Sequence, residues 1–205
     1  TALATADEDN FWGKFVGAEP SATRWKPVMI GAGQPGQIYS WEQAASGYTG
    51  VWATSNSRAA LFDAMKRRET FATSGPRMIA AMKDPDGANL DRAQVIKGWL
   101  GADGKTQEKI YEVKWSGDRK PDAGGKLPAV GNTVDLKTAT YTNSIGAAEL
   151  VTTWSDPDFD PKLKAVYYLR VLEIPTPRWT AYDAVRYKVS MPKSVAMIHQ
   201  ERALT

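Results

Sequence analysis

The stretch 48–77 constrains the fold more than any other part of the chain, because it predicts a strand, a helix and a second strand in direct succession. Residues 49–53 form an apolar run of strand length. Residues 58–68 then show a helical period that places Leu61 and Met65 on one apolar face. A β-α-β succession of this size is typical of an α/β sheet or barrel.

Both ends of the predicted helix carry residue types that stabilise helix termini. Residues 54–57 are Thr, Ser, Asn and Ser, whose side-chain oxygens accept hydrogen bonds from the free amides of a first turn. Residues 66–68 are cations, which suit the negative end of the helix dipole. Residues 70–73 are β-prone again, and Gly75 with Pro76 ends the unit.

The charge, cysteine and histidine content excludes several classes of site. The 26 basic and 23 acidic residues give a net charge of +3 and are interspersed, so the sequence predicts no nucleic-acid partner. No apolar run approaches the ~18 residues of a membrane span. The chain has no cysteine and a single histidine, His199. This composition excludes a thiolate metal site and a zinc site built from several histidines of this chain.

After residue 77 the pattern changes to short strands separated by turns. Apolar runs, alternating or continuous, predict strands at 78–83, 93–100, 108–115, 133–142, 149–154 and 165–174. The regular turns and the lack of a second helical pattern favour an antiparallel β-sandwich with residues 165–174 in its interior. Prolines 175 and 177 end that strand, and residues 185–205 are expected to run along the surface.

Four stretches that cover nearly the whole chain carry a resemblance to a known family. They read GVWA with SRAALFDAMKRRETFATSGPR, TADEDNFWGKF, DPDGANLDRAQVIKGWL and YYLRVLEIPTPRWTAYDA. They resemble a large bacterial family of unknown function that is similar to the PHP (polymerase and histidinol phosphatase) metal-dependent phosphoesterases. The resemblance implies an α/β plus all-β chain. Residues 1–77 would be the C-terminal remnant of a PHP-like β/α barrel, and residues 78–205 an antiparallel β-sandwich with a C-terminal extension.

The resemblance also implies a metal-dependent hydrolase of the phosphoesterase type. In PHP-like enzymes an Asp-x-His motif supplies metal ligands, and in this family it lies just before the stretch that corresponds to the start of this chain. Zinc or manganese ions are therefore expected only with the remaining N-terminal portion of the same protein, which is the implied partner. A small phosphoester is the implied substrate, the implied location is periplasmic or exported, and this chain alone is expected to be inactive.

Five residues of this chain are candidates for a place in the substrate cleft. Asp7, Glu8, Asp9 and Asn10 would lie near the mouth of the barrel, and Arg77 would reach an anionic substrate. The three acidic residues are consecutive, so they do not all face one point of a regular element. A solvated helix start or loop is the alternative interpretation of this stretch.

A non-catalytic interpretation also stays open, in which the β-sandwich is a binding or structural module that contacts glycan or protein. The eight Trp residues are spread through the chain, and this residue type packs in cores and also stacks on sugars. Asp156, Asp158 and Asp160 alternate along the chain, but the Glu and Gly of a calcium loop are missing, so Asx-turns explain them better. His199, alone near the end of the chain, is expected to be a surface or packing residue.

Overall fold

The main element of the fold is a six-stranded sheet in which all neighbouring strands run antiparallel. The structure is a computed structural model and describes residues 20–42, 49–73, 78–79, 82–83 and 86–205. In spatial order the strands of the large sheet are β3 (Thr49–Val51), β4 (Thr70–Thr73), β12 (Arg202–Leu204), β9 (Ala165–Glu173), β7 (Leu90–Leu100) and β8 (Thr106–Trp115).

Smaller elements surround this sheet in the described part of the chain. Three two-stranded sheets pair β1 (Val28–Ile30) with β2 (Ile38–Tyr39), β5 (Met78–Ile79) with β6 (Met82–Lys83), and β10 (Thr176–Pro177) with β11 (Ile198–His199). The helices are α1 (Arg58–Lys66), α2 (Trp179–Tyr187) and a short 3₁₀ helix, Ser40–Glu42.

The three long strands confirm the predictions for residues 93–100, 108–115 and 165–174. β9 lies between β12 and β7, so its predicted central place is confirmed, but the prediction that the whole strand is interior is wrong, because Val166 and Tyr167 are exposed. Residues from the strands and from a loop form the buried core of the sheet: Leu90, Ala93, Leu150, Val171 and Ala203. The coarse prediction of an antiparallel β-structure with helices is therefore correct.

The predicted β-α-β unit is wrong in its strand direction. β3 and β4 are adjacent antiparallel strands, with Gly50 opposite Phe71, whereas a barrel unit requires parallel strands. When extended, the six-residue linker between β3 and α1 spans up to ~20 Å, which exceeds the ~13.5 Å length of the nine-residue helix α1. Linker and helix together therefore bring the chain back to the end of the sheet at which β3 stopped. No barrel remnant is seen in the residues that the structure describes.

Helix α1 begins and ends close to the predicted bounds, but the prediction for Met65 is wrong. Ser57 is the N-cap, and its hydroxyl oxygen accepts from the Ala60 amide at 3.3 Å. Ala64 is fully buried and Leu61 is half-buried, whereas Met65 is 50% exposed. The helix contacts the protein through its small alanine side, so its larger apolar residues face outward.

Three of the predicted strands are also wrong. Residues 133–142 contain only an isolated bridge between Asp135 and Thr140, because the Asp135 side chain accepts from the Lys137 amide at 2.8 Å and closes an Asx-turn. Residues 149–154 form no strand; Leu150 instead packs in the buried core and the Trp154 ring contacts Tyr111. Residues 78–83 form the paired strands β5 and β6 instead of a single strand.

The part of the chain after β9 departs most from the sequence prediction. A second helix, α2, begins directly after the two prolines, and the short strand β10 contains one of them. β12 does not run along the surface but lies between β4 and β9. Because β12 joins strands on both sides of residue 77, one sheet spans the predicted boundary between residues 1–77 and 78–205.

The core assignment predicts unequal effects of two apolar truncations. Leu90→Ala should lower the free energy of unfolding by about 2–5 kcal/mol, because Leu90 is fully buried. Met65→Ala should change it by less than about 0.5 kcal/mol, because that side chain is exposed. Urea denaturation of both variants measures the difference, and equal losses would contradict the assignment.

Candidate functional site

The five residues that the sequence proposes for a cleft lie outside the described residues. Asp7, Glu8, Asp9 and Asn10 precede residue 20, and Arg77 falls between residues 73 and 78. Their role therefore stays a prediction. The described residues instead place a different set of polar side chains together, around the start of helix α2.

Helix α2 is fixed by a buried ion pair with a distant part of the chain. Arg24 donates from Nε and Nη2 to the two carboxylate oxygens of Asp183, at 2.5 and 2.9 Å. Both side chains are almost completely buried, and the Arg24 guanidinium lies over the Trp179 ring at 4.6 Å. At the other end of the helix the Tyr187 hydroxyl donates to the Pro20 carbonyl at 2.6 Å. Residues 20–24 thereby set the position of α2.

Arg178, His199 and Glu201 form a polar cluster beside the start of α2, which we call the Arg178 cluster. Arg178 is the N-cap residue of the helix. Pairing of β10 with β11 places His199 opposite Thr176, and the Arg178 amide donates to the Met197 carbonyl at 2.9 Å. His199 Nε2 lies 3.2 Å from Glu201 Oε1. Sheet pairing therefore fixes the backbone at His199, and hydrogen bonds of the Arg178 amide and of the Glu201 carbonyl fix the other two residues.

The members of the Arg178 cluster differ in their exposure. The His199 side chain is 26% exposed, and the Glu201 side chain is almost completely buried. Arg178 is also buried, and its Nη1 donates to the Trp41 carbonyl. His199 is thus the member of the cluster that meets solvent, with the arginine and the glutamate behind it.

Burial keeps the His199 imidazole in its neutral form at pH 7. Desolvation lowers its pKa below the ordinary 6.5, Glu201 opposes this effect, and the positive charge of Arg178 lowers the pKa further. Burial also lowers the pKa of Arg178, opposed by Glu201 and Glu42, but a guanidinium stays charged in proteins. The cluster therefore combines a fixed cation, a carboxylate and a neutral imidazole.

This arrangement suits proton transfer at a solvent-facing imidazole. A carboxylate that contacts one ring nitrogen selects the tautomer with its proton on that nitrogen. With Glu201 at Nε2, the lone pair of the neutral ring is on Nδ1. A neutral imidazole in this tautomer can accept a proton at Nδ1, which is the action of a general base.

A hydrogen-bonded network supports the segment that carries the histidine. The Gln200 amide donates from Nε2 to Asp91 Oδ2 at 3.1 Å and to the Glu173 carbonyl at 2.9 Å. Asp91 is itself buried and forms ion pairs with Arg92 at 3.0 Å and Arg119 at 2.7 Å. The backbone around His199 and Glu201 is therefore tied to the start of β7.

A second polar cluster, the Lys97 cluster, covers the other end of the sheet. The buried Lys97 ammonium donates to Asp156 Oδ2 at 2.6 Å and to the Asp158 carbonyl at 2.8 Å. The hydroxyls of Tyr167 and Tyr111 donate to Asp156 and Asp158 at 2.7 and 2.8 Å. These contacts fasten the loop that contains both aspartates to strands β7, β8 and β9.

The Lys97 cluster has the electrostatics of a structural ion-pair network. Hydrogen bonds from Lys97, Tyr167, Tyr111 and the Asp158 amide hold the pKa of Asp156 well below its ordinary value, although desolvation opposes them. Lys109 and Tyr111 likewise lower the pKa of Asp158. The Asp158 amide donates to Asp156 Oδ1 at 2.9 Å, which confirms the predicted Asx-turn.

Aromatic rings complete the Lys97 cluster. Trp154 lies between Tyr111 and Tyr167, with ring centroids 5.1 and 6.4 Å away and tilted planes. Tilted arrangements at these distances are favourable for aromatic pairs. Tyr167 remains partly exposed on the surface of the sheet.

Within the described residues, no group of three His, Asp or Glu side chains is placed to hold a metal ion. The described helices also include none long and apolar enough to cross a membrane. The described residues therefore do not form a metal centre, and no chemistry in this part of the site is assigned to a metal.

The Arg178 cluster was missed because its members are far apart in sequence and Arg178 follows a proline-rich segment. One local signal was available. His199 and Glu201 are two residues apart, and this spacing places both side chains on one face of an extended chain. The sequence predicted a surface or packing role for His199 and did not predict its contact with the buried Glu201.

Two segments of the chain, residues 1–80 and 78–205, match one family model, described as "Protein of unknown function (DUF3604)". The match covers the whole chain. No curated protein matches the chain, and no solved structure does.

The Lys97 cluster predicts a specific loss of stability in acid. Because the pKa values of Asp156 and Asp158 are lower in the folded chain than the ordinary 3.8, their contribution is present above pH 3.8 and is lost as the pH falls further. Asp156→Asn should therefore lower the denaturation midpoint at pH 7, and its difference from the unaltered chain should shrink toward pH 2. The exposed Glu149→Gln is the matched control, and a difference that stays constant with pH would refute the prediction.

The single histidine allows a direct measurement of the Arg178 cluster. The imidazole proton signal in NMR should titrate with a midpoint below pH 6.5. Glu201→Gln should lower the midpoint further, because it removes the negative charge that favours protonation, and Arg178→Gln should raise it. A midpoint at or above 6.5 in the folded chain, or shifts of the opposite sign, would contradict the geometry.

Proposed function

The chain belongs to the family described as protein of unknown function (DUF3604), and we propose that it is the C-terminal portion of a metal-dependent hydrolase similar to the PHP phosphoesterases. The observation that carries the proposal is the half-buried His199 in contact with Glu201 beside Arg178. A neutral imidazole, oriented by a carboxylate and next to a fixed cation, is suited to hydrolysis of an anionic ester.

In the proposed reaction His199 is the catalytic residue and acts as a general base. It takes a proton from water as the water oxygen bonds to phosphorus. The ester P–O bond breaks, the leaving alkoxide takes up a proton from solvent, and the imidazolium gives its proton back to solvent. The products are the alcohol and the phosphate, and the imidazole is again neutral.

Glu201 and Arg178 are positioning residues in this scheme. The contact of Glu201 with Nε2 favours the tautomer that carries its proton on Nε2. The positive charge of Arg178 opposes protonation of the imidazole by solvent before substrate binds, because it lowers the histidine pKa. Arg178 also makes the surroundings of His199 favourable for an anion.

The metal ions of the proposed enzyme, zinc or manganese, belong to the remaining N-terminal portion of the same protein. The described residues of this chain do not fit a metal site, so no step above depends on one. Asp7, Glu8, Asp9, Asn10 and Arg77 are proposed to line the same cleft. The proposed location is periplasmic or exported, and the proposed substrate is a small phosphoester.

The test is hydrolysis of p-nitrophenyl phosphate by the full-length product of the gene, with zinc or manganese supplied. His199→Gln should lower kcat by about 10²–10⁴-fold, the contribution typical of a general base. Glu201→Gln should lower kcat less and shift the acid limb of the pH profile downward, in parallel with the titration of His199.

Thr138→Val, at an exposed threonine far from the Arg178 cluster in sequence, is the matched control and should leave kcat unchanged. Absence of metal-dependent phosphoester hydrolysis by the full-length protein would refute the proposal. If the enzyme is active and His199→Gln has no effect on kcat, the proposed hydrolase activity stands but the proposed role of His199 as general base is refuted.

The second candidate is a non-catalytic module that binds glycan. It is favoured by the partly exposed Tyr167 beside Trp154 and Tyr111 on the surface of the sheet, since aromatic faces stack on sugars. Calorimetric titration of the chain with oligosaccharides tests it. Binding that is lost in Tyr167→Ala would support this function in place of hydrolysis.

A further inference from the structure

Helix α1 exposes more apolar surface than an isolated surface residue does. Phe62 is 62% exposed, and Met65 is 50% exposed. The helix is attached to the protein through the fully buried Ala64 and the half-buried Ala60 and Leu61. Neighbouring large apolar side chains at the surface indicate an interaction site, whereas scattered single ones do not.

Cations share the exposed face of α1 with these apolar residues. At 100° per residue, Arg58, Phe62, Met65 and Lys66 fall within about 100° of the helix circumference. Asp63, the one carboxylate of the helix, falls about 60° outside this sector. The exposed face is therefore apolar and basic together, and we call it the α1 face.

The α1 face includes a concave region. A recess of about 850 Å³ is lined by Asn56, Arg58, Ala59, Leu61, Phe62 and Met65. Its lining is mainly apolar, with a guanidinium at one side. A recess of this kind accepts side chains that project from a partner, as in the binding of an amphipathic helix to a groove.

The cations of the α1 face lack partners within the described part of the chain. Arg58 and Lys66 are exposed and form no ion pair there. Arg67 differs, since its guanidinium donates to both oxygens of Glu69 at 3.0 and 2.7 Å. Two unpaired positive charges on the same helix face as an apolar recess are complementary to apolar side chains flanked by carboxylates.

We propose that the α1 face binds an acidic amphipathic helix of a protein partner. Apolar side chains of that helix fill the recess beside Phe62 and Met65, and its carboxylates pair with Arg58 and Lys66. A second copy of this chain is disfavoured, because two α1 faces would bring like charges together. A lipid surface is disfavoured, because it presents no projecting side chain to fill a recess. The proposal does not depend on the proposed hydrolysis.

The probe is a labelled 18-residue helical peptide with leucines along one face and glutamates on both sides of them. Fluorescence anisotropy with the full chain should show binding, and the matched peptide with lysine in place of glutamate should bind at least tenfold more weakly. Phe62→Ser should weaken binding of the glutamate peptide at least tenfold, and so should Arg58→Gln combined with Lys66→Gln.

Phe159→Ser is the matched control, because Phe159 is exposed to a similar degree but lies on the Lys97-cluster loop. It should leave binding unchanged, and unaltered circular dichroism confirms that each variant is folded. Equal binding of the two peptides, or no effect of Phe62→Ser, would overturn the proposal. Binding to phosphatidylserine vesicles but not to the peptide, or self-association that Phe62→Ser abolishes, would overturn it in favour of a lipid or a second copy.

Discussion

The buried ion pair between Arg24 and Asp183 is the interaction on which the C-terminal part of the structure depends. It joins residues 159 positions apart with two hydrogen bonds, and both side chains are almost completely excluded from water. Removal of one partner from such a pair typically costs about 3–5 kcal/mol, because the other charge stays buried. The same guanidinium contacts the Trp179 ring, so one side chain fixes both the start and the middle of α2.

The position of α2 determines the position of Arg178, and through it the electrostatics at His199. Arg178 precedes the first residue of the helix, and its charge lowers the histidine pKa. Residues 20–24 therefore influence the proposed catalytic imidazole through the position of α2. The Lys97 cluster has a different character, because its charges are paired with one another and fasten a loop to the sheet.

The elements that the sequence predicts well are those stabilised by local patterns. Strands β7, β8 and β9 have long apolar or alternating runs, and α1 has a serine cap and cations in its last turn. Helix α2 has no side-chain cap and follows two prolines, so it is stabilised mainly by the burial of Trp179 and by Arg24, which no local pattern reveals. The Arg178 cluster needs the pairing of β10 with β11, and two-residue strands have no periodicity to detect.

The place of β12 in the sheet has a consequence for how this chain folds. Its three residues follow every other strand of the large sheet along the chain, yet they separate β4 from β9 and bond to both. Until they are available, β9 has an unpaired edge, and β3 with β4 has no connection to the long strands. The large sheet is therefore completed only when residues 202–204 dock, by contacts between residues far apart in sequence. This is the topology of slow-folding proteins that need protection from edge-to-edge aggregation.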